Sequence, residues 1–182
     1  AMGDIAQAET ALSRGAEMNP QDARRYEQQG SDLFSRGEYA LAAPAYGKHA
    51  LLFPADVDAR YYLARCFEET GAAELAIAEY ERVRGERPGT QDALVRLARL
   101  YGSAARPVDA LGVLDELVGI EPENTDAHYA RGEILVGQGN TSDAIDAFER
   151  VAAAEPAHTE VHLRLAGLYD GVDDDAALAA YE

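Results

Sequence analysis

The sequence predicts an all-α solenoid built from antiparallel helix pairs. Five of the seven prolines recur every 34 residues without an insertion or deletion, at Pro20, Pro54, Pro88, Pro122 and Pro156. A fixed period of this length is typical of solenoids, in which each helix pair buries its apolar face against neighbouring pairs. Packing residues and helix-end residues keep the phase of the prolines, so each repeat is predicted to contain two helices and a turn.

The first helix of each repeat is predicted from a small residue followed three positions later by a large one. Residues three apart lie on the same helical face, so the small residue leaves room for a neighbouring helix and the large one packs beside it. The small residues are Gly30, Ala64, Ala98, Gly132 and Ala166. The large residues are Leu33, Phe67, Tyr101, Leu135 and Tyr169.

The second helix of each repeat is predicted from an alanine followed four positions later by a large residue. Alanine lets two helices approach closely. The alanines are Ala8, Ala42, Ala76, Ala110 and Ala144, and the large residues are Leu12, Tyr46, Tyr80, Leu114 and Phe148. Pro107 is expected at the start of its helix, where proline is tolerated. Pro44 falls inside its helix and is expected to bend it locally or to delay its start.

Residues at the same phase are expected to begin the first helices. The side chains of Asp22, Asp56, Thr90 and Asn124 can accept hydrogen bonds from free backbone N–H groups at a helix N-terminus. His158 has the same phase in the last repeat. Each helix pair is therefore predicted to start just after one of these residues.

Glycines predict a left-handed backbone conformation at the turn between the two helices of a repeat. Gly37, Gly71 and Gly139 recur at this phase, and glycine adopts positive φ without a steric penalty. Ala105 and Asp173 replace glycine in the other repeats. The same turn is expected at those two positions.

Residues 23–171 resemble the tetratricopeptide repeat family, whose 34-residue repeats place small, aromatic, alanine and proline residues at these phases. The resemblance implies a right-handed superhelix. The predicted repeats are residues 23–56, 57–90, 91–124 and 125–158, with a truncated repeat at 159–182. Residues 1–22 are predicted to hold an N-terminal scar and the second helix of a partial repeat. Apolar helix faces left exposed at the two ends are expected to allow self-association.

The charge of the chain argues against two classes of partner. Sixteen Lys and Arg stand against 33 Asp and Glu, which gives a net charge of −17. Such a chain repels the phosphates of nucleic acids and anionic lipids. An acidic surface with a single lysine, Lys48, is also typical of adaptation to high salt. Because the sequence has neither a signal peptide nor an apolar run of about 20 residues, we expect a cytoplasmic protein without a membrane partner.

The resemblance implies that a peptide or protein segment binds in a concave groove lined by the first helices. The candidate binding residues are Tyr61, Tyr62, Arg65, Val95, Arg96, Arg99, Tyr129, Leu163 and Arg164. The wider stripe adds Glu27, Gln28, Ser31, Ala130, Glu133 and Gly167, so four arginines meet two acids. This balance favours an acidic partner. Alternatively, the arginines pair with neighbouring acids such as Glu68, Glu69 or Asp92.

Catalytic and metal-binding interpretations are weaker. His128, His158, Glu160 and His162 could approach a metal, but the phases of these histidines favour packing or helix-start roles. Cys66 follows the phase of a first helix beside Phe67 and is expected to be a buried structural thiol. We therefore predict that the chain is not an enzyme and that it binds neither a cofactor nor a metal. The predicted function is an interaction scaffold, with a self-assembly module or a regulatory region of a larger enzyme as alternatives.

Overall fold

The structure, a computed structural model, describes the backbone of residues 20–170 and the side chains of residues 24–170. Within that range the secondary structure is nine α-helices and no strand. The helices are α1 (Pro20–Ser35), α2 (Tyr39–Leu52), α3 (Val57–Glu69), α4 (Ala73–Glu86), α5 (Gln91–Ser103), α6 (Pro107–Ile120), α7 (Thr125–Gly137), α8 (Thr141–Ala154) and α9 (Thr159–Tyr169). The all-α fold predicted from the sequence is confirmed.

The described residues divide into two compact units, one that ends at Pro88 (unit 1) and one that begins at Gly89 (unit 2). In unit 1, α1 packs on α2, α2 on α3 and α3 on α4. In unit 2, α5 packs on α6 and α7, α6 on α7, α7 on α8 and α8 on α9. The helices of a pair are joined by residues 36–38, 70–72, 104–106 and 138–140. Most of the predicted partial repeat at 1–22 and the end of the truncated repeat at 159–182 lie outside the described residues.

Helix starts follow the predicted phase with two corrections, at Asp22 and at Thr90, which precedes α5 but makes no capping hydrogen bond with its side chain. Asp56 Oδ1 accepts hydrogen bonds from the backbone N–H groups of Asp58 at 3.1 Å and Ala59 at 3.3 Å, which caps α3. Asn124 caps α7 by accepting from Ala127 at 2.8 Å. The expectation that Asp22 precedes its helix is wrong, because α1 begins at Pro20. Proline is well suited to a first helical turn, since its missing N–H would have no helical partner there.

His158 also caps a helix, although its side chain is not among the usual capping groups. Its Nδ1 accepts a hydrogen bond from the backbone N–H of Val161 at 3.3 Å, which satisfies a free donor at the start of α9. The phase of His158 therefore reflects the same local role that Asp56 and Asn124 perform in earlier repeats.

The turns inside the helix pairs have the predicted left-handed conformation. Gly37, Gly71 and Gly139 have φ values of 74°, 75° and 73°. Ala105 takes the same conformation with φ of 56°, although its Cβ makes this region unfavourable. Four helix pairs thus share one turn geometry, and one of them carries a strained residue. Asp173, the fifth residue at this phase, lies outside the described residues.

The predicted alternation of small and large side chains forms the core. Ala42, Ala76, Ala110 and Ala144 on the second helices have no exposed surface. A Cβ on Gly132 would lie 2.6 Å from the Phe148 ring. The small residue of a first helix therefore faces the large residue of the second helix in the same repeat, which lets aromatic rings fill the space between the two helices.

Pro44 lies inside α2 rather than at its start. Helix α2 runs without interruption from Tyr39 to Leu52, so Pro44 does not delay the beginning of the helix. Proline has no N–H group, so it cannot donate the helical hydrogen bond to the carbonyl of Ala40. The expected local bend stays a prediction.

Candidate peptide-binding surface on the first helices

In unit 2, the first helices α5, α7 and α9 bring candidate residues together around Tyr129. The Tyr129 ring stacks on His158 with centroids 5.6 Å apart and meets Phe148 edge-on at 5.6 Å. The Arg164 guanidinium on α9 lies near the Tyr129 hydroxyl. Burial raises the pKa of Tyr129, so this side chain is a neutral phenol at physiological pH.

Arg99 on α5 lies beside Tyr129 and is exposed to solvent. Among residues 24–170, no carboxylate oxygen lies within 4.0 Å of its guanidinium group. Arg99 and Tyr129 both line two cavities, of about 630 Å³ and about 220 Å³. Three acids also line the smaller cavity: Asp126, Glu155 and Glu160. An anion that approaches Arg99 through the larger cavity therefore meets less repulsion than one that approaches through the smaller cavity.

The larger cavity has an apolar floor next to the Arg99 cation. Its lining includes Gly102, Pro107, Ala130 and Ile134. A Cβ on Gly102 would stand 3.4 Å from Ile134 Cγ1, so any larger side chain here would occupy part of the cavity. Its only acidic lining residue is Glu133, whose Oε1 lies 3.1 Å from Arg164 Nε. A cation, an apolar floor and an aromatic edge thus meet in one cavity, which we name the Arg99 cleft.

The other three groove arginines form ion pairs within the chain, as the alternative interpretation predicts. Arg96 Nε lies 2.8 Å from Asp92 Oδ2 on the same helix. Arg164 lies 3.1 Å from Glu133 and 3.6 Å from Glu160. Arg65 lies 3.8 Å from Glu69. Partly exposed pairs of this kind contribute about 0–1 kcal/mol each to stability, so they neutralise charge more than they hold the fold.

In unit 1, the candidate tyrosines belong to a larger aromatic cluster. Tyr62 is 38% exposed, stacks on Tyr46 of α2 with centroids 5.3 Å apart, and meets Phe34 of α1 edge-on at 5.3 Å. Tyr61 contacts Tyr62 edge-on at 5.3 Å. Arg65 donates to the Tyr61 hydroxyl at 3.4 Å and lies over the Phe34 ring at 5.3 Å. The three candidate residues of this unit are therefore adjacent.

Two apolar candidates have very different exposure. Leu163 on α9 is 59% exposed and is available for contact. Val95 on α5 is only 7% exposed and offers little surface to a partner. Phe34 and Ile134 line cavities on these surfaces but were not among the sequence candidates. Their positions three residues after Ser31 and four after Ala130 place them on the predicted inner faces, which is the signal that could have identified them.

Two of the histidines considered as metal ligands bind backbone instead. His128 Nε2 donates to the carbonyl of Pro122 at 2.7 Å, and His162 Nε2 donates to the carbonyl of Pro156 at 2.9 Å. In the part of the chain that the structure describes, no group of three potential ligands is close enough to hold a metal. Cys66 is fully buried, and burial raises the pKa of its thiol to about 11. This thiol is protonated at neutral pH.

These features define an α-helical repeat protein with open surfaces on its first helices. The chain belongs to the tetratricopeptide repeat family: three models of this repeat match residues 27–90, 69–134 and 125–168. No curated protein is a significant sequence match. Among residues 20–170, no helix is both long enough and apolar enough to cross a membrane.

Solved structures share the fold at low sequence identity. A crystal structure of MamA protein has a TM-score of 0.82 and 19% identity, covering 90% of each chain. MamA 41-end from Desulfovibrio magneticus RS-1 has a TM-score of 0.78 and 21% identity, covering 88% of this chain and 89% of that one. YrrB, described as a tetratricopeptide repeat protein with an unusual peptide-binding site, has a TM-score of 0.74 and 21% identity, covering 89% and 84%.

Proposed function

We propose that this chain is a protein-interaction scaffold that binds a peptide or protein segment against its first helices, with an acidic side chain of the partner on Arg99. The observation that carries the proposal is the state of Arg99. It is exposed, and no carboxylate among the described residues pairs with it, in a chain with a net charge of −17. An external carboxylate can bind this guanidinium without displacing an internal one.

The surroundings of Arg99 suit a short acidic and apolar stretch. A guanidinium can hold a carboxylate through two parallel hydrogen bonds, which gives direction as well as affinity. The Arg99 cleft offers Gly102, Pro107 and Ile134 to an aliphatic side chain. Tyr129 adds a rigid ring at the same place, and ordering it costs little because it already contacts Phe148 and His158.

The remaining candidates contribute in different ways to the proposed surface. Arg96 and Arg164 are ion-paired, so a ligand would have to compete with Asp92, Glu133 or Glu160 for them. Leu163 supplies exposed apolar area on α9. In unit 1, Tyr61 and Tyr62 provide aromatic contact area, and Arg65 beside them is held by Tyr61 and Glu69. Arg99 is therefore the residue on which acidic selectivity depends.

The experiment selects binders from a random peptide library on the whole chain and compares their affinities by fluorescence polarisation. We expect selected peptides to be enriched in Asp or Glu beside an aliphatic residue. Arg99→Gln should weaken binding at least tenfold, and replacing the peptide acid by its amide should have a similar effect. Arg150→Gln is the matched control, because Arg150 on α8 is also exposed and makes no ion pair within the described residues.

Any of four outcomes would contradict the proposal. The library could yield no binder, the selected peptides could lack acidic residues, or Arg99→Gln could bind them as tightly as the unchanged chain. An equal loss with Arg99→Gln and Arg150→Gln would also contradict it, because general charge rather than the Arg99 cleft would then govern binding.

A further inference from the structure

Unit 1 contains a second cavity whose chemistry differs from that of the Arg99 cleft. This cavity, of about 310 Å³, lies among α1, α2 and α3. Three aromatic residues line it: Phe34, Tyr46 and Tyr62. Three carboxylates also line it: Glu27, Asp56 and Asp58. We name it the acidic aromatic cavity. No basic residue is part of its lining.

The three rings form a fixed cluster. Tyr46 and Tyr62 are nearly parallel, with 15° between their planes and 5.3 Å between their centroids. Phe34 meets both edge-on, at 6.4 Å and 5.3 Å. Tyr46 is 3% exposed, and the close approach of its ring to the backbone at Gly30 holds it in place, whereas Tyr62 is 38% exposed. The cluster therefore presents one open ring backed by two rings that packing keeps in position.

The cluster already attracts a cation within the chain. The guanidinium carbon of Arg65 lies 5.3 Å from the centroid of Phe34. This distance is within the range of cation–π attraction, which contributes about 0.5–1 kcal/mol at exposed sites and more where water is excluded. Arg65 is not part of the cavity lining, so the cavity itself is open to another cation.

The carboxylates of the cavity differ in whether a basic side chain of the chain already pairs with them. Asp56 accepts a hydrogen bond from His49 Nε2 at 2.7 Å. Asp58 lies 2.6 Å from Arg87. Glu27 is exposed, and no Arg, Lys or His nitrogen among the described residues lies within 4.0 Å of its carboxylate. Glu27 is thus the uncompensated charge at the acidic aromatic cavity.

We propose that the acidic aromatic cavity binds a cationic side chain, a lysine or an arginine, of a protein partner. The carboxylate of Glu27 supplies Coulomb attraction, and the exposed part of the Tyr62 ring attracts the cation and contacts its aliphatic stem. This site lies in unit 1 and selects the opposite charge from Arg99, so it does not depend on the proposed acidic ligand. A scaffold with both sites binds a basic side chain in unit 1 and an acidic side chain in unit 2.

The test uses small probes that carry one side chain each. Nα-acetyl-lysine methylamide is titrated into the whole ¹⁵N-labelled chain, and Nα-acetyl-norleucine methylamide, which lacks the ammonium group, serves as the uncharged probe. We expect the lysine probe to shift the amide signals of Ser31, Phe34, Ala59 and Tyr62 with saturation on the order of 10 mM or below. The norleucine probe should bind at least fivefold more weakly.

Two variants separate the charge from the rings. Glu27→Gln should weaken the lysine probe at least fivefold, whereas Glu74→Gln, at an exposed acid on α4 with no ion pair in the described residues, should leave its affinity unchanged. Tyr62→Leu keeps an apolar side chain but removes the open ring, and it should weaken the lysine probe more than the norleucine probe. Circular dichroism checks that each variant is folded.

The proposal is overturned if the lysine probe produces no saturable shift at these amides, or if the norleucine probe binds equally well. It is also overturned if Glu27→Gln has no more effect than Glu74→Gln. None of these results bears on Arg99, whose acidic ligand is tested by the peptide library.

Discussion

The ring of Phe148 on α8 lies where a side chain at Gly132 on α7 would have to stand. A Cβ at position 132 would come within 2.6 Å of Phe148 Cε1, closer than carbon atoms of two packed side chains approach. The missing side chain of the glycine therefore leaves the space that the aromatic ring occupies. Gly30 and Tyr46 have the same relationship in unit 1, at 3.1 Å.

Gly132→Ala should destabilise the fold even though alanine is the better helix former. Overpacking costs about 1–3 kcal/mol, and the gain in helix propensity offsets about 1 kcal/mol of this, so we expect a net loss of up to about 2 kcal/mol. Urea unfolding followed by circular dichroism measures the change. Phe148→Leu should be less harmful in the Gly132→Ala background than alone.

A glycine elsewhere in a helix provides the control for this substitution. Gly112 lies in the interior of α6, and no neighbouring atom lies within 4 Å of the position that a Cβ would occupy there. Gly112→Ala should therefore stabilise the chain by about 0.5–1 kcal/mol. If Gly132→Ala and Gly112→Ala change the stability equally, the space between α7 and α8 is not as tight as described.

Ala105→Gly should stabilise unit 2. Ala105 has φ of 56° at a position where three other repeats have glycine. The left-handed conformation costs a residue with a Cβ about 1–2 kcal/mol, and the extra freedom of glycine in the unfolded chain offsets about half of this. We expect a gain of about 0.5–1 kcal/mol in the free energy of unfolding, measured by urea titration.

The neighbouring residue tests whether this gain is specific to the left-handed position. Ala104 has φ of −81°, which alanine adopts without strain. Ala104→Gly should lower the stability by about 0.5–1 kcal/mol, because only the entropy cost remains. Stabilisation by both substitutions would show that the turn strain at Ala105 is not the cause.

The ionisation of Asp56 should make the free energy of unfolding depend on pH under acidic conditions. Burial opposes its ionisation, but the hydrogen bonds from His49, Ala59 and Asp58 outweigh burial and hold the pKa of Asp56 below its ordinary 3.8. A lowered folded-state pKa gives stability that is present above the unfolded pKa and is lost as pH falls through the folded one. The contribution of Asp56 should therefore decline from about pH 4 downwards.

Two substitutions separate the charge of Asp56 from its capping role. Asp56→Asn retains an oxygen that can cap α3, so its deficit at pH 7 should shrink as the medium is acidified. Asp56→Ala removes the cap as well, so its deficit should exceed that of Asp56→Asn by about 1 kcal/mol at every pH. Unfolding curves between pH 7 and the acid limit measure both. A deficit of Asp56→Asn that stays constant down to about pH 2 would refute the linkage.

Cys66 should react with thiol reagents only when the chain opens. Its side chain has no exposed surface and a pKa of about 11, so both access and the thiolate fraction are low at about pH 8. We expect labelling by a disulfide reagent to be at least ~100-fold slower in the folded chain than in urea. Labelling at similar rates in both states would be incompatible with a buried thiol.

The sequence predicted those features that depend on residues close together in the chain. The turns at Gly37, Gly71 and Gly139 and the cap at Asp56 follow from local backbone chemistry, which a 34-residue period repeats. The start of α1 was misplaced, because Pro20 and Asp22 are both compatible with a first turn and only the structure decides between them.

The candidate surfaces were less predictable because they depend on contacts between helices. Helical phase predicts that four arginines line the groove: Arg65, Arg96, Arg99 and Arg164. Of these four, only Arg99 has no ion pair in the described part of the chain. Val95 has the phase of the groove, but it is buried among the core residues of α5. Three of the ion pairs join residues four apart on one helix and can be read from the sequence: Arg65 with Glu69, Arg96 with Asp92 and Arg164 with Glu160. The pair between Arg164 and Glu133 depends on the spacing of two helices, which cannot be read from one repeat.

The bonds from His128 to Pro122 and from His162 to Pro156 restrict how this chain can change in length. Each imidazole reaches back six residues across the connection between two repeats and holds that connection to the next helix. An extra residue in such a connection would separate the ring from its carbonyl. The connections from one repeat to the next should therefore keep their length of four residues.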